Sequence, residues 1–380
     1  MRIVFIIQGE GRGHMTQALA LEEILLKAGH EVSDVVIGTC NRRNIPTFFS
    51  RKTKAQIHKI ESPNFYFDKN HKSINLKSTF SKNVLKIPRF LTELKTIHQV
   101  VQESRADTVI NFYDVLGGFY FLLYRPKVRR ICLAHQYLAS HSQFPFEEGF
   151  PLQKFLFKFN NRITSCFAHK RLALSFQSLP HEKKKLYVIP PLIRKEILKV
   201  KQTKGDYILA YVVNKGYGYD ILKWHEKNPK VKINCFWDNY DKADEWSPRE
   251  NITFHHINDA KFIDLLANCM GYVSTAGFES ICEAMFLEKP VMMVPVKGQY
   301  EQLCNALDAQ KVGAGIIAKE FNLDELFTHI SSQPKKTQEF KNWVRSNQEL
   351  ILKEIEGFDP YLVNEDQFVL KAEELTLNNR

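Results

Sequence analysis

Short β-branched runs alternate with amphipathic helical stretches along nearly the whole chain, and this alternation constrains the fold more than any other feature. In the first half the runs fall at residues 2–7, 32–37, 55–60, 107–112, 130–134, 171–175 and 186–189. In the second half they fall at 207–213, 232–236, 252–256, 271–274, 291–294 and 314–317. Near-continuous apolar runs suit strands buried on both faces. Strands that alternate with helices predict parallel sheets covered on both sides. A chain of 380 residues exceeds one ordinary core. The expectation is therefore an α/β protein with two doubly wound, Rossmann-like domains facing across a cleft. Pro190-Pro191 and the polar run 199–204 read as the connection. This places the first domain at 1–195 and the second at 205–360, with a terminal helix in 361–380 packing back on the first.

In such sheets ligands bind beyond the carboxyl ends of the strands, where strand order reverses. The first strand runs into Gln8-Gly9-Glu10-Gly11-Arg12-Gly13-His14, which opens a helix. Glycines permit a tight turn, and a helix amino terminus attracts negative charge. The spacing departs from a dinucleotide fingerprint, and Thr39-Cys40-Asn41 stands where a ribose-binding acid is expected. Arg42 and Arg43 could meet a phosphorylated ribose, so a nicotinamide-dependent oxidoreductase stays open. His14 is more informative. A helix amino terminus disfavours imidazolium, so this side chain is expected to stay neutral, as a general base must. Asp114, just past the strand 107–112, is the candidate to orient it; Asn111 competes for that place.

The formal net charge is +11, and it is unevenly spread. Residues 51–100 hold eleven Lys or Arg against Glu61, Asp68 and Glu93. Together with the aromatic, basic stretch 151–170 this suits contact with an anionic membrane surface. A solvated face explains the charge equally well. No nucleic-acid motif accompanies it, so nucleic acid is not expected as a partner. Seven scattered cysteines form no Cys-x-x-Cys pair, which predicts reduced thiols and a cytoplasmic protein, peripheral to the inner membrane face at most. No Asp-x-Asp pair occurs, and neither metal nor cofactor is expected.

The densest signal is Ser274-Thr275-Ala276-Gly277-Phe278-Glu279-Ser280-Ile281-Cys282-Glu283, followed by Lys289-Pro290-Val291 and by Gly298-Gln299-Tyr300-Glu301-Gln302. It reads as strand, small-residue turn, helix, strand, loop, helix. Thr275, Gly277 and Ser280 lie at a helix start suited to a diphosphate. Glu283, a turn further on, is placed to accept both hydroxyls of a ribose. Glu301 and Gln302 open the next helix.

This segment resembles the donor-binding signature of nucleotide-sugar glycosyltransferases of the GT-B fold. Those include the glucuronosyl and plant glucosyltransferase superfamily and the lipid-linked peptidoglycan N-acetylglucosaminyltransferase. The loop ending at Gly11, Gly13 and His14 resembles the amino-terminal loop of the same group, whose histidine is the acceptor base. The resemblance implies that Gly277 and Ser280 meet the diphosphate and Glu283 the ribose. It implies that Glu301 and Gln302 bind the donor sugar and that His256 and Ile257 offer backbone groups to the base. His135-Gln136 resembles an acceptor-side loop. Thr275 departs from the plant pattern, which has histidine there. It also breaks the paired-glutamate pattern of retaining enzymes, which favours inversion. The implied activity is a metal-independent, inverting transfer from a nucleoside-diphosphate sugar, UDP first, to an acceptor hydroxyl; the basic segments leave a lipid-linked acceptor open. A nucleotide-sugar 2-epimerase and a non-catalytic nucleotide-sugar-binding module share the fold and stay open.

Overall fold

Each half of the chain closes on one seven-stranded sheet. The computed structural model describes residues 1–39, 45–64, 76–212, 215–332 and 338–357. The first sheet holds β1 (Arg2–Gln8), β2 (Glu31–Thr39), β3 (Gln56–Glu61), β4 (Thr108–Phe112), β5 (Arg129–Leu133), β6 (Lys170–Leu174) and β7 (Leu186–Ile189). Their order is β3-β2-β1-β4-β5-β6-β7, with every pairing parallel. The second holds β8 (Tyr207–Val212), β9 (Lys232–Trp237), β10 (Glu245–Arg249), β11 (Ile252–His255), β12 (Gly271–Ser274), β13 (Val291–Met293) and β14 (Gly315–Ile317). Their order is β10-β11-β9-β8-β12-β13-β14.

The expected runs all appear as strands. The periodicity misses β10, which pairs antiparallel with β11 at the sheet edge. Its sequence, Glu-Trp-Ser-Pro-Arg, is polar and contains Pro248, which an edge strand tolerates because one side needs no ladder bond.

Helices cover both faces. The first half contributes α1 (Arg12–Lys27), α2 (Thr47–Lys52), α3 (Leu76–Leu85), α4 (Ile87–Glu103), α5 (Val115–Tyr124), α6 (Pro151–Thr164) and α7 (Lys195–Lys199). The second half contributes α8 (Lys215–Lys227), α9 (Asp259–Asn268), α10 (Phe278–Phe286), α11 (Tyr300–Lys311), α12 (Leu323–Ser332), α13 (Gln338–Arg345) and α14 (Asn347–Glu356). β1 shows why its apolar run is unbroken. Ile3, Phe5 and Ile7 face one core cluster, and Val4 and Ile6 face another, following the two-residue period of a strand. The first of these clusters continues into the second half through Phe278, Ile281 and Cys282.

The chain crosses between the halves twice. It leaves after β7, and it returns at α13 and α14. Trp343 donates to the Ser175 carbonyl at 2.9 Å, and Asn347 donates to the Pro190 and Pro191 carbonyls at 3.0 and 2.6 Å. Lys170 reaches Glu354 at 3.0 Å. The terminal helix expected in 361–380 lies outside the described residues.

Candidate active site

Strand order reverses between β1 and β4 in the first sheet and between β8 and β12 in the second. These reversals open crevices at the carboxyl ends of the strands. The loop Gly9–Gly13 leaves β1 at the first of them. Gly9 accommodates a close approach of β2: its amide donates to the Gly38 carbonyl at 2.7 Å, and a Cβ there would lie 2.8 Å from that oxygen. Gly11 caps α1 in extended backbone with no side-chain cap, so first-turn amides keep free hydrogen-bonding capacity. Gly13 packs against Glu279 of the opposite half.

His14 sits in the first turn of α1 and is buried. Its ring stacks on Tyr113 with centroids 5.8 Å apart. Nδ1 meets Gln17 Oε1 at 3.3 Å, while Nε2 has no hydrogen bond among the described residues. Burial lowers this imidazole to about 4, against a smaller opposing effect of Gln17, so the ring is neutral at physiological pH. Tyr113 carries a φ of 62°, a strained value for a bulky residue, held where β4 ends. Its hydroxyl donates to Asn161 and accepts from Asn160 at 3.0 Å.

The expected His14–Asp114 pair is not formed. Asp114 is the N-cap of α5, and its Oδ1 accepts from the Leu116 and Gly117 amides at 2.8 and 3.2 Å. Oδ2 faces Gly38 and Ser62. Burial raises this carboxyl to about 6. Asn111, the competing candidate, is also spent on backbone, donating to the Asp114 and Thr164 carbonyls. An Asp directly before an apolar helix start is a capping signal in its own right.

On the opposite face, Gly277 caps α10 in extended backbone, again without a side-chain cap, and a Cβ there would meet nothing within 4 Å. Thr275 is buried at the end of β12, and Ser280 sits in the first turn of α10. The ribose role of Glu283 does not fit. Glu283 is 1 % exposed, and its two oxygens take Nε and Nη2 of Arg194 at 2.5 Å each. Arg194 also holds Asp259, which in turn pairs with Lys52 at 2.7 Å. A bidentate pair with arginine leaves this carboxylate no free face toward the cleft. Arg194 is 89 residues away in sequence, so no local pattern announced it.

Glu301 is half-buried and accepts from Gln136 at 2.8 Å; desolvation raises its pKa. Gln302 accepts from the Val296 amide at 2.9 Å, which shapes the loop before α11. His135 does not line an acceptor pocket. It is 1 % exposed, stacks on Phe278 with centroids 4.0 Å apart, and holds the Leu174 carbonyl at 2.8 Å. It and Gln136 are therefore joints between the halves.

A cleft of about 1360 Å³ opens between the halves. Gly9, Arg12 and Met15 line it on one side, and Asn239, Tyr240, His256 and Ile257 on the other. His256 thus stands at the end of β11, held by the Asn239 carbonyl at 2.9 Å and by Asp244 at 2.7 Å. Arg12 crosses the cleft to Asp238 at 3.2 Å. Sequence reading missed Arg12, Gln17, Arg194 and Glu279; the latter three act through partners distant in the chain. Arg42 and Arg43 lie outside the described residues. Among the described residues no three His, Cys, Asp or Glu side chains converge as a metal ion requires.

Residues 1–334 match the sequence profile described as glycosyl transferase family 1. Among solved structures, CalG4, the calicheamicin glycosyltransferase, superposes with a TM-score of 0.61 at 13% identity, covering 94% of this chain and 98% of its own. MurG of Acinetobacter baumannii superposes with a TM-score of 0.54 at 16% identity, covering 94% and 99%. UGT2 of Phytolacca americana, solved with UDP-2-fluoro-glucose and pterostilbene, gives 0.55 at 11%, covering 92% and 93%. At these identities the likeness is one of fold. No curated protein matches.

Proposed function

The chain belongs to glycosyl transferase family 1 and is a glycosyltransferase of GT-B fold; on that premise we propose that it transfers a sugar from a nucleoside diphosphate, UDP first, to an acceptor hydroxyl with inversion and without a metal. His14 is the general base. The observation that carries this reading is the state of its ring: neutral, held at Nδ1, without a hydrogen bond at Nε2 among the described residues, and in the same helix turn as Arg12, which lines the cleft. Nε2 takes the proton of the acceptor hydroxyl as that oxygen forms its bond to the anomeric carbon. The bond from that carbon to the diphosphate oxygen breaks on the opposite face. The departing charge goes to the uncapped start of α10, between Gly277 and Ser280; the Gly277 amide is spent on the Thr275 carbonyl, and the first-turn amides that follow it, with the helix dipole, favour an anion. His256 and Ile257 flank the nucleoside, and Glu301 and Gln302 support the loop nearest the sugar. Glu283 is left out of ribose binding, because Arg194 occupies it.

The acceptor side carries a second part of the proposal, a peripheral contact with an anionic membrane. α4, α5 and α6 pack side by side. All three leave apolar side chains outward: Leu91, Leu123, and on α6 Leu152, Phe155, Leu156 and Phe159. The last four recur at helical spacing, and Phe155 and Phe159 stack at 5.9 Å. Lys154, Lys158 and Arg162 form the adjacent stripe. In 51–100, Lys52, Lys86 and Arg89 are spent on acidic partners within the chain; on α6 Lys154 meets Glu148 at 3.4 Å, and Lys158 and Arg162 are exposed. The membrane contact is therefore assigned to α6. Among the described residues no helix is long and apolar enough to cross a membrane.

The test is a melting-temperature panel of uridine, thymidine, guanosine and cytidine diphosphates and their sugars, followed by anomeric analysis of the transferred product. Stabilisation by uridine diphosphate and an inverted anomer are expected. A retained anomer would remove the single-displacement mechanism. Co-flotation with phosphatidylglycerol vesicles but not with neutral ones is the expected result for α6.

A further inference from the structure

His14 is not isolated in the first half. Its Nδ1 lies 3.3 Å from Gln17 Oε1, and Gln17 Nε2 donates to Glu279 Oε2 at 3.0 Å. All three side chains are buried. His14 and Gln17 belong to α1, whereas Glu279 belongs to α10, so the row crosses from one sheet system to the other. Gly13 makes the crossing short, since Glu279 Cβ lies 3.8 Å from where a Gly13 Cβ would be.

A primary amide accepts at its oxygen and donates at its nitrogen. Because Gln17 gives its NH₂ to a carboxyl oxygen, its own oxygen is left to accept, and the group it faces must be a donor. That group is the His14 Nδ1–H. The row therefore has a direction, and it ends with a lone pair on Nε2. Glu279 is what points Gln17 that way. Its second oxygen, Oε1, is buried with no hydrogen-bond partner among the described residues. Gln17, Glu283 and Arg194 are the polar and charged groups around it. Burial first, and then Glu283, push Glu279 up to about 8, while Gln17 and Arg194 oppose the rise.

We propose that Gln17 and Glu279 are positioning residues that fix the tautomer of the His14 base, with the anchor supplied by the donor-binding half. The proposal rests on His14 being the base. It gives that reading a condition: the base is oriented only while α10 is docked against α1. With the halves apart, Gln17 has no carboxyl partner, its amide turns freely, and both imidazole tautomers are populated. The acceptor is then deprotonated efficiently only in the closed molecule that also holds the donor helix.

The experiment is ¹⁵N NMR of histidine-labelled full-length chain, joined to steady-state kinetics. In the wild type His14 is expected as the Nδ1–H tautomer, with a pyridine-type Nε2 signal. Gln17→Ala and Glu279→Leu should mix the tautomers and lower kcat roughly ten- to a hundredfold, with little change in KM for the donor. Glu279→Gln keeps an oxygen that accepts from Gln17, so it should hold the tautomer and restore most of the rate lost in Glu279→Leu. Glu279→Gln is nearly isosteric, so the comparison survives if Glu279→Leu folds poorly. An Nε2–H tautomer in the wild type would overturn the proposal. So would an unchanged tautomer and kcat in Gln17→Ala. Full turnover by His14→Ala is a different result: it would remove the base assignment, while the NMR signature would still report whether the row exists.

Discussion

Two helix starts face each other across the molecule, and they are built alike but used differently. α1 and α10 both begin at a glycine in extended backbone, Gly11 and Gly277, and neither has a side-chain cap. α5 and α9 begin instead at Asp114 and Asn258, whose side chains accept from their own first turns. An uncapped start keeps donors available for a ligand, and a capped one consumes them. The difference between the two uncapped starts lies in their titratable groups. On α1, His14 keeps one ring nitrogen free. On α10, both carboxylates are engaged, Glu279 by Gln17 and Glu283 by Arg194. The proposed mechanism accordingly gives proton transfer to α1, and backbone and dipole to α10.

This contrast can be broken in three places. His14→Ala should show the largest effect, a fall in turnover of roughly 10²–10⁴-fold with nucleotide affinity retained. The pH profile sharpens it. A base works only when unprotonated, and burial lowers His14 to about 4, so wild-type kcat should hold down to mildly acidic pH and fall only as pH drops toward 4. A limb near 6.5 would place the working base elsewhere. Next in size is Arg194→Ala, which leaves Glu283 buried without its counter-charge. Urea unfolding should show a loss of about 3–5 kcal/mol. If stability holds and nucleotide binding tightens instead, Glu283 is a ligand group after all, and the two helix starts are more alike than described. The smallest effect is expected for Asp114→Ala, a loss of about 1 kcal/mol from the α5 cap with an unaltered pH profile of kcat. A displaced acid limb would return Asp114 to the side of the imidazole.

The fold was largely legible because it depends on local signals. Runs such as 2–7 and 32–37 announce buried parallel strands, and the glycine loop announces a strand-to-helix turn. β10 was not legible, because an exposed edge strand with a proline carries no apolar pattern. The site was legible by position and less so by partnership. Gly11, His14 and Gly277 stand at the helix starts where the sequence put them, and His256 follows a strand end. What each charged group touches is a tertiary fact. Gln17 and Glu279 are separated by 262 residues, and no periodicity couples them. Glu283 misled for the same reason: its place on α10 suggested a ligand, and only the outgoing crossing, which brings Arg194 beside it, shows its charge to be spent. Asp114 misled differently, since its local role as a cap was readable and a distant role was preferred.

The two chain crossings between the halves lie side by side, and Asn347 of the returning segment is hydrogen-bonded to Pro190 and Pro191 of the outgoing one. A pair of bodies joined by one segment can bend, twist and slide. Joined by two segments stitched together, they keep a single easy motion, an opening like a book about its spine. Covers bound twice at the spine resist twist, the motion that would turn one sheet's crevice away from the other's.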